Sequence, residues 1–195
     1  MIYWNMLIAI VYLSFTFLST LNKSAADNTF LFGPILLLLI AGYVFRKEWL
    51  SIDFNILKDR KILKSVYSGV QGILCIQALW TLFFGYSLNE SETIIQRLPI
   101  FVLHVIITGP IIEEIIFRKF LFTIINIRSN FFISSLVSSI LFSLAHYDTL
   151  RLIPYTITGI ILCRVYLKTN SILPSILIHS IINLLAILAI SIRQL

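Results

Sequence analysis

Charge is scarce in this sequence. Asp, Glu, Lys and Arg make up 12% of its 195 residues, about half of the ~25% usual in soluble domains. Hydrophobic types reach 58% and the mean hydropathy is +0.96, which points to lipid rather than water as the solvent. Cysteine is nearly absent: Cys75 and Cys163 both fall inside hydrophobic stretches, where the thiol serves as a small apolar side chain, so a disulfide framework is excluded. There is no internal repeat, no low-complexity tract and no His-Glu-x-x-His zinc-protease motif. The first segment, Ile2 to Leu21, lacks a basic leader, and Ser24-Ala25-Ala26 is a poor cleavage site, so it reads as a retained helix. The net charge of +6 is accounted for by basic loops against anionic lipid, so nucleic acid is not an expected partner.

What the sequence does have is a series of apolar stretches of roughly 17–25 residues, each long enough to cross ~30 Å of hydrocarbon. They predict an all-α, polytopic transmembrane bundle with helices near 2–21, 30–46, 66–86, 98–126, 131–147, 151–168 and 171–192. That is about seven helices, in a range of six to eight. Residues 1–195 then form a single integral membrane domain with no room for a soluble one. The loop 46–64 concentrates Arg46, Lys47, Lys58, Arg60, Lys61 and Lys64, which puts it in the cytoplasm by the positive-inside rule. Lys119, Arg128, Arg164 and Lys168 then fall on the same side and the C-terminus outside. Trp49, Ile52, Phe54, Ile56 and Leu57 suit either an interfacial segment or a solvated loop.

Some polar residues sit where lipid should forbid them. Glu113 and Glu114 are adjacent inside the fourth apolar segment, and a central carboxylate there costs ~2.5–3.5 kcal/mol on insertion scales. Glu114 and Arg118 are four apart and share a helix face, while Glu113 points about 100° away. The pairing leaves Glu113 for chemistry; the plainer alternative is an Arg-centred ion cluster that only holds helices together. Gly109-Pro110 precedes the pair, and the proline should leave the Ile106 carbonyl without its helical donor and open a kink. His146 ends the fifth segment, and His179 and Asn183 share a face of the seventh. From the cytoplasmic ends, Glu113, His146 and His179 lie ~20, ~22 and ~12 Å deep in straight helices. Tilt would let them meet near mid-membrane, with a water-filled cavity from the cytoplasm expected. His104 lies about 180° round the helix from Glu113 and is left out of the site.

Glu113-Glu114-x-x-x-Arg118-x-x-x-Phe122, Phe142-x-x-x-His146 and His179-x-x-x-Asn183 occur in order, and together they resemble the CPBP family of intramembrane proteases, also called the CAAX protease and bacteriocin-processing (Abi) family. The resemblance covers 99–188, a family-like catalytic core. It implies a glutamic-type endopeptidase in which Glu113 and His146 activate a water, His179 and Asn183 stabilise the oxyanion, and Arg118 orients Glu113 and Glu114. Two departures stand out: Lys119 follows the motif arginine where the family often has Gly, and the chain is short beside the eukaryotic prenyl-protein processors. A prenylated CAAX protein is therefore not the expected substrate.

The expected function is hydrolysis of a peptide bond in a membrane-associated protein or peptide. The alternatives are a non-catalytic bacteriocin-immunity or scaffold protein of the same fold and, further off, a proton-coupled transporter, against which stands the lack of an inverted repeat. No cofactor is expected; a divalent metal held by two histidines and a carboxylate is the less favoured option. The abundance of Ile, Asn and Lys over Ala and Gly fits an AT-rich genome, and a bacterial plasma membrane is the expected location.

Overall fold

The computed structural model describes residues 39, 43, 53–85, 95 and 101–193, and every regular element among them is helical. Apart from Leu39 and Tyr43, the helices expected near 2–21 and 30–46 lie outside the described residues, as does the loop before Asp53. Five helices follow: α1 (Arg60–Phe84), α2 (101–128), α3 (Phe131–Leu144), α4 (Leu152–Thr169) and α5 (Leu173–Arg193). Arg60–Phe84, Thr149–Thr169 and Leu173–Ile192 are long and apolar enough to span a membrane. The fold is thus an all-α bundle with at least these spans; the expected count of seven is not reached among the described residues.

Local chemistry sets the boundaries. Asp59 caps α1, its carboxylate accepting from Lys61 N at 2.8 Å. The helix therefore starts before the expected residue 66, and Arg60, Lys61 and Lys64 lie on its first turns instead of in a loop. It stops at Gly85, whose φ of 77° suits only a residue without a Cβ. Asn130 caps α3 through Ile133 N at 3.0 Å, and Asp148 caps the turn Thr149–Arg151 that leads into α4. Asn170, at φ 48°, closes α4.

The fifth apolar segment is shorter than expected. α3 has 14 residues, ~21 Å at 1.5 Å per residue, against ~30 Å of hydrocarbon. Its continuation, 145–147, is a turn in which Tyr147 takes φ 51°, a left-handed conformation that a bulky residue adopts only under constraint.

α2 is continuous but not uniformly α-helical. It widens into π-helix over His104–Thr108 and again over Ile115–Phe122, as helices often do at functional sites. In the first stretch Gly109 donates its N–H to His104 O. In that register the carbonyl left without a donor at Pro110 is that of Val105, not of Ile106 as an α-helical count suggests. In the second stretch Ser138 Oγ donates to Phe117 O and Thr123 Oγ1 to Arg118 O, as apolar surroundings require.

α4 packs against α3, α1 and α5. Its contact with α3 uses small residues: Ser135, Ser138, Ser139 and Ser143 are buried, and a Cβ placed on Gly159 would fall 2.6 Å from Ser139 Cβ. Such close backbone approach is how helices associate where the hydrophobic effect gives them no help. Two apolar clusters flank the middle of the bundle. Ile112, Ile115, Ile116, Phe117, Phe142, Ile172 and Ile176 join α2, α3 and the start of α5. Ile73, Leu162, Val165, Ile178 and Ile182 join α1, α4 and α5.

Candidate active site

Between these clusters the polar residues expected from the sequence come together. Glu114 and Arg118 form the expected pair, Oε1 to Nη1 3.2 Å, with both side chains wholly buried. The Arg118 guanidinium also lies 4.2 Å above the Phe142 ring centroid, a cation–π contact that is stronger without water. Glu113 points elsewhere, as its helical offset requires. Its Oε2 stands 3.8 Å from His146 Nε2 and 3.7 Å from His179 Nε2. Glu113 is 15% and His146 24% exposed, whereas Glu114 is sealed.

Each ring has its other nitrogen occupied. His146 Nδ1 lies 2.8 Å from Phe142 O; a carbonyl only accepts, so Nδ1 carries the proton and Nε2 faces Glu113 with a lone pair when the ring is neutral. His179 Nδ1 lies 2.9 Å from Glu114 Oε1, so one ring links both glutamates. The separations around Glu113 Oε2 exceed a direct hydrogen bond.

His179 and Asn183 share a helix face but take different partners in the structure. Asn183 Nδ2 donates to Val105 O at 2.8 Å, the carbonyl that Pro110 leaves without a backbone donor. His104 opens the first π-helical stretch. The π turn adds a residue to the helical turn and lays the ring beside Gly109, where an added Cβ would meet His104 Cε1 at 3.5 Å. Its Nδ1 is 2.7 Å from Thr108 Oγ1. The residue that sequence reasoning left without a role is Phe142. Its ring packs on His146 (centroids 4.5 Å), His179 (5.7 Å) and Phe117 (5.4 Å) as well as Arg118. The signal was its place one helical turn before His146.

A cavity of about 690 Å³ lies between α1, α4 and α5, walled by Leu74, Ala78, Trp80, Ala186 and Ala189 with Gln77 and Thr81 among them. It reaches Asn183 and Tyr155, and Tyr155 stacks on His146 at 4.4 Å between centroids. Its walls are the end of α1, the start of α4 and the end of α5. That is the end of the bundle opposite Arg60, Arg128 and Lys168. Among the described residues no group of three or more His, Cys, Asp or Glu is arranged to hold a metal ion. Cys75 is exposed on α1 and Cys163 is buried.

Residues 95–185 match the family model for the Type II CAAX prenyl endopeptidase Rce1-like proteins. Over 105 residues the chain is 36% identical to a Bacillus subtilis protein named for a membrane peptidase, YdiL, covering 51% of this chain and 43% of that one. It is 37% identical over 103 residues to the membrane-embedded CAAX protease MroQ of Staphylococcus aureus, covering 49% and 42%. With protein YxdF of Lactococcus lactis it is 36% identical over 96 residues, covering 47% and 51%. The chain therefore spans about half the length of the curated relatives it matches. No solved structure matches it. The resemblance carried by the three motifs is borne out: residues 95–185 match the Rce1-like model, in an integral protein of a bacterial membrane.

Proposed function

We propose, taking the Rce1-like character of residues 95–185 as premise, that this chain is an intramembrane endopeptidase that hydrolyses a peptide bond of a membrane-associated protein or peptide. The observation that carries the reading is Glu113 Oε2 facing two imidazole nitrogens at 3.8 and 3.7 Å. A water in that space donates one hydrogen to Glu113 and the other to His146 Nε2. Glu113 takes the first as the water oxygen bonds to the peptide carbonyl carbon, and the carbonyl oxygen becomes an oxyanion. The carboxyl then hands that proton to the leaving amine as the C–N bond breaks.

His179 and Asn183 are the proposed donors to the oxyanion, reached from different directions. Glu113, Glu114 and Arg118 together carry one net negative charge. Donation from His179 Nε2 requires the doubly protonated ring, with Nδ1–H on Glu114 and Nε2–H directed to the oxyanion. Arg118 acts at one remove, by fixing Glu114. The reading needs no metal, and cleavage by the purified protein should survive treatment with a strong chelator. Loss on chelation with recovery on adding a divalent ion would replace it with a metal-assisted one.

The substrate and the reaction are tested together by comparing peptide termini in membranes that contain the active protein or Glu113→Ala. A terminus present only with the active protein supports the reading and identifies the bond. Identical sets of termini would favour the non-catalytic immunity or scaffold reading.

A further inference from the structure

Asn183 is held by a backbone carbonyl, and that carbonyl is available because of a proline. With Gly109 N–H spent on His104 O, Val105 O would take its bond from residue 110 in the same five-residue register. Residue 110 is proline, which has no N–H. Asn183 Nδ2 reaches across from α5 and makes the bond at 2.8 Å. The orientation of the amide is thereby fixed, since the flipped group would set Oδ1 against Val105 O, two acceptors in contact. Without this bond the last torsion of an asparagine has a broad, nearly two-fold preference. With one N–H committed to Val105, the second points about 120° away in the amide plane. The same side chain lines the cavity, as does Tyr155, whose ring lies 4.4 Å from that of His146 between centroids.

We propose that Pro110 and Val105 form a positioning pair for Asn183: the carbonyl left without a backbone donor sets the amide plane, so that the second N–H is held in one direction for the oxyanion instead of rotating freely. The inference rests on the peptidase reading and deepens it. A proline kept only to bend α2 would have no bearing on Asn183. A proline kept to leave a carbonyl for Asn183 ties a missing hydrogen on α2 to a donor on α5. The arrangement follows the logic of catalytic groups oriented by a third partner, with a main-chain oxygen as that partner.

The test uses the full chain in detergent as Pro110→Ala, Asn183→Ala and the double variant. Alanine at 110 restores an N–H, so Pro110→Ala should keep or raise the unfolding midpoint. It should nevertheless lower kcat roughly 10- to 100-fold through the misplaced donor, at unchanged KM, toward the bond identified by the comparison of termini. Asn183→Ala leaves Val105 O without a donor and should lower the midpoint by roughly 2–8 °C. Adding Pro110→Ala should restore the midpoint but not kcat. If Asn183→Ala does not fold, recovery of a folded double variant carries the same information. Pro110→Ala with wild-type kcat, or a double variant no more stable than Asn183→Ala, would overturn the proposal. The thermal cycle needs no substrate, so a chain that cleaves nothing would remove the peptidase reading while the cycle still decides the Val105–Asn183 link.

Discussion

His179 Nδ1 lies 2.9 Å from Glu114 Oε1, and this contact turns the opposite ring nitrogen toward Glu113. The buried Glu114–Arg118 pair thus reaches the more exposed carboxylate through a single imidazole. Adjacent residues in the sequence are divided between two tasks. Glu114 belongs to the framework, and Glu113 faces the two imidazoles.

That division predicts opposite phenotypes. Glu113→Gln should keep the wild-type unfolding midpoint and lose activity by ~10²–10⁴-fold, the usual worth of a positioned base. Glu114→Ala leaves Arg118 buried without its partner and should cost about 3–5 kcal/mol of stability. Normal turnover in Glu113→Gln at equal expression would remove it as the base.

Phe142 should behave as a support for three groups at once. Phe142→Leu keeps an apolar side chain but loses the aromatic face under Arg118 and beside both histidines. Turnover should fall more than stability, since the cation–π contact is worth only about 2 kcal/mol when desolvated. Measured kcat and unfolding midpoints that fall in the same proportion as in other core truncations would reduce Phe142 to packing.

The α3–α4 contact has no room for a methyl group at 159. Gly159→Ala sets a Cβ 2.6 Å from Ser139 Cβ and 3.0 Å from its Cα, so it should destabilise by about 1–3 kcal/mol. Ser139→Gly in the same chain should recover part of this in a thermal unfolding series. No recovery would mean that the backbone contact, rather than the side chain, sets the distance.

Orientation and access can be read together by cysteine labelling in a chain freed of Cys75 and Cys163. Asn55→Cys, in the exposed turn beside the basic start of α1, should react with an impermeant reagent only in inverted vesicles. Thr81→Cys, on the cavity wall, should react from outside intact cells. The reverse pattern would turn the protein over in the membrane.

The sequence displayed the chemistry more fully than the geometry. Intramembrane carboxylates and histidines are conspicuous because lipid penalises them, so Glu113, Glu114, His146, His179 and Asn183 were legible one by one, and the Glu114–Arg118 pair followed from a spacing of four. Helix type was not legible. A constant 100° per residue assigns the orphan carbonyl to Ile106; the π register moves it to Val105, and only the Gly109-Pro110 pair hints at it. The early stop of α3 was hidden as well, because Ala145 continues an apolar run and nothing local announces the left-handed Tyr147. The partner of Asn183 lies 78 positions away in the chain, a distance that no periodicity spans.

The brevity of α3 also concerns the lipid around it. A membrane of ordinary thickness must pinch beside this helix, or admit headgroups and water down to the turn that carries His146. Acyl-chain length then becomes a control on the reaction centre. Longer chains press hydrocarbon over the turn and starve Glu113 of water, while shorter ones lift it to the interface. In bilayers of graded thickness, cleavage should decline as the lipids lengthen, with no change in the protein itself. The composition of the host membrane would thus set the pace of the proposed cleavage.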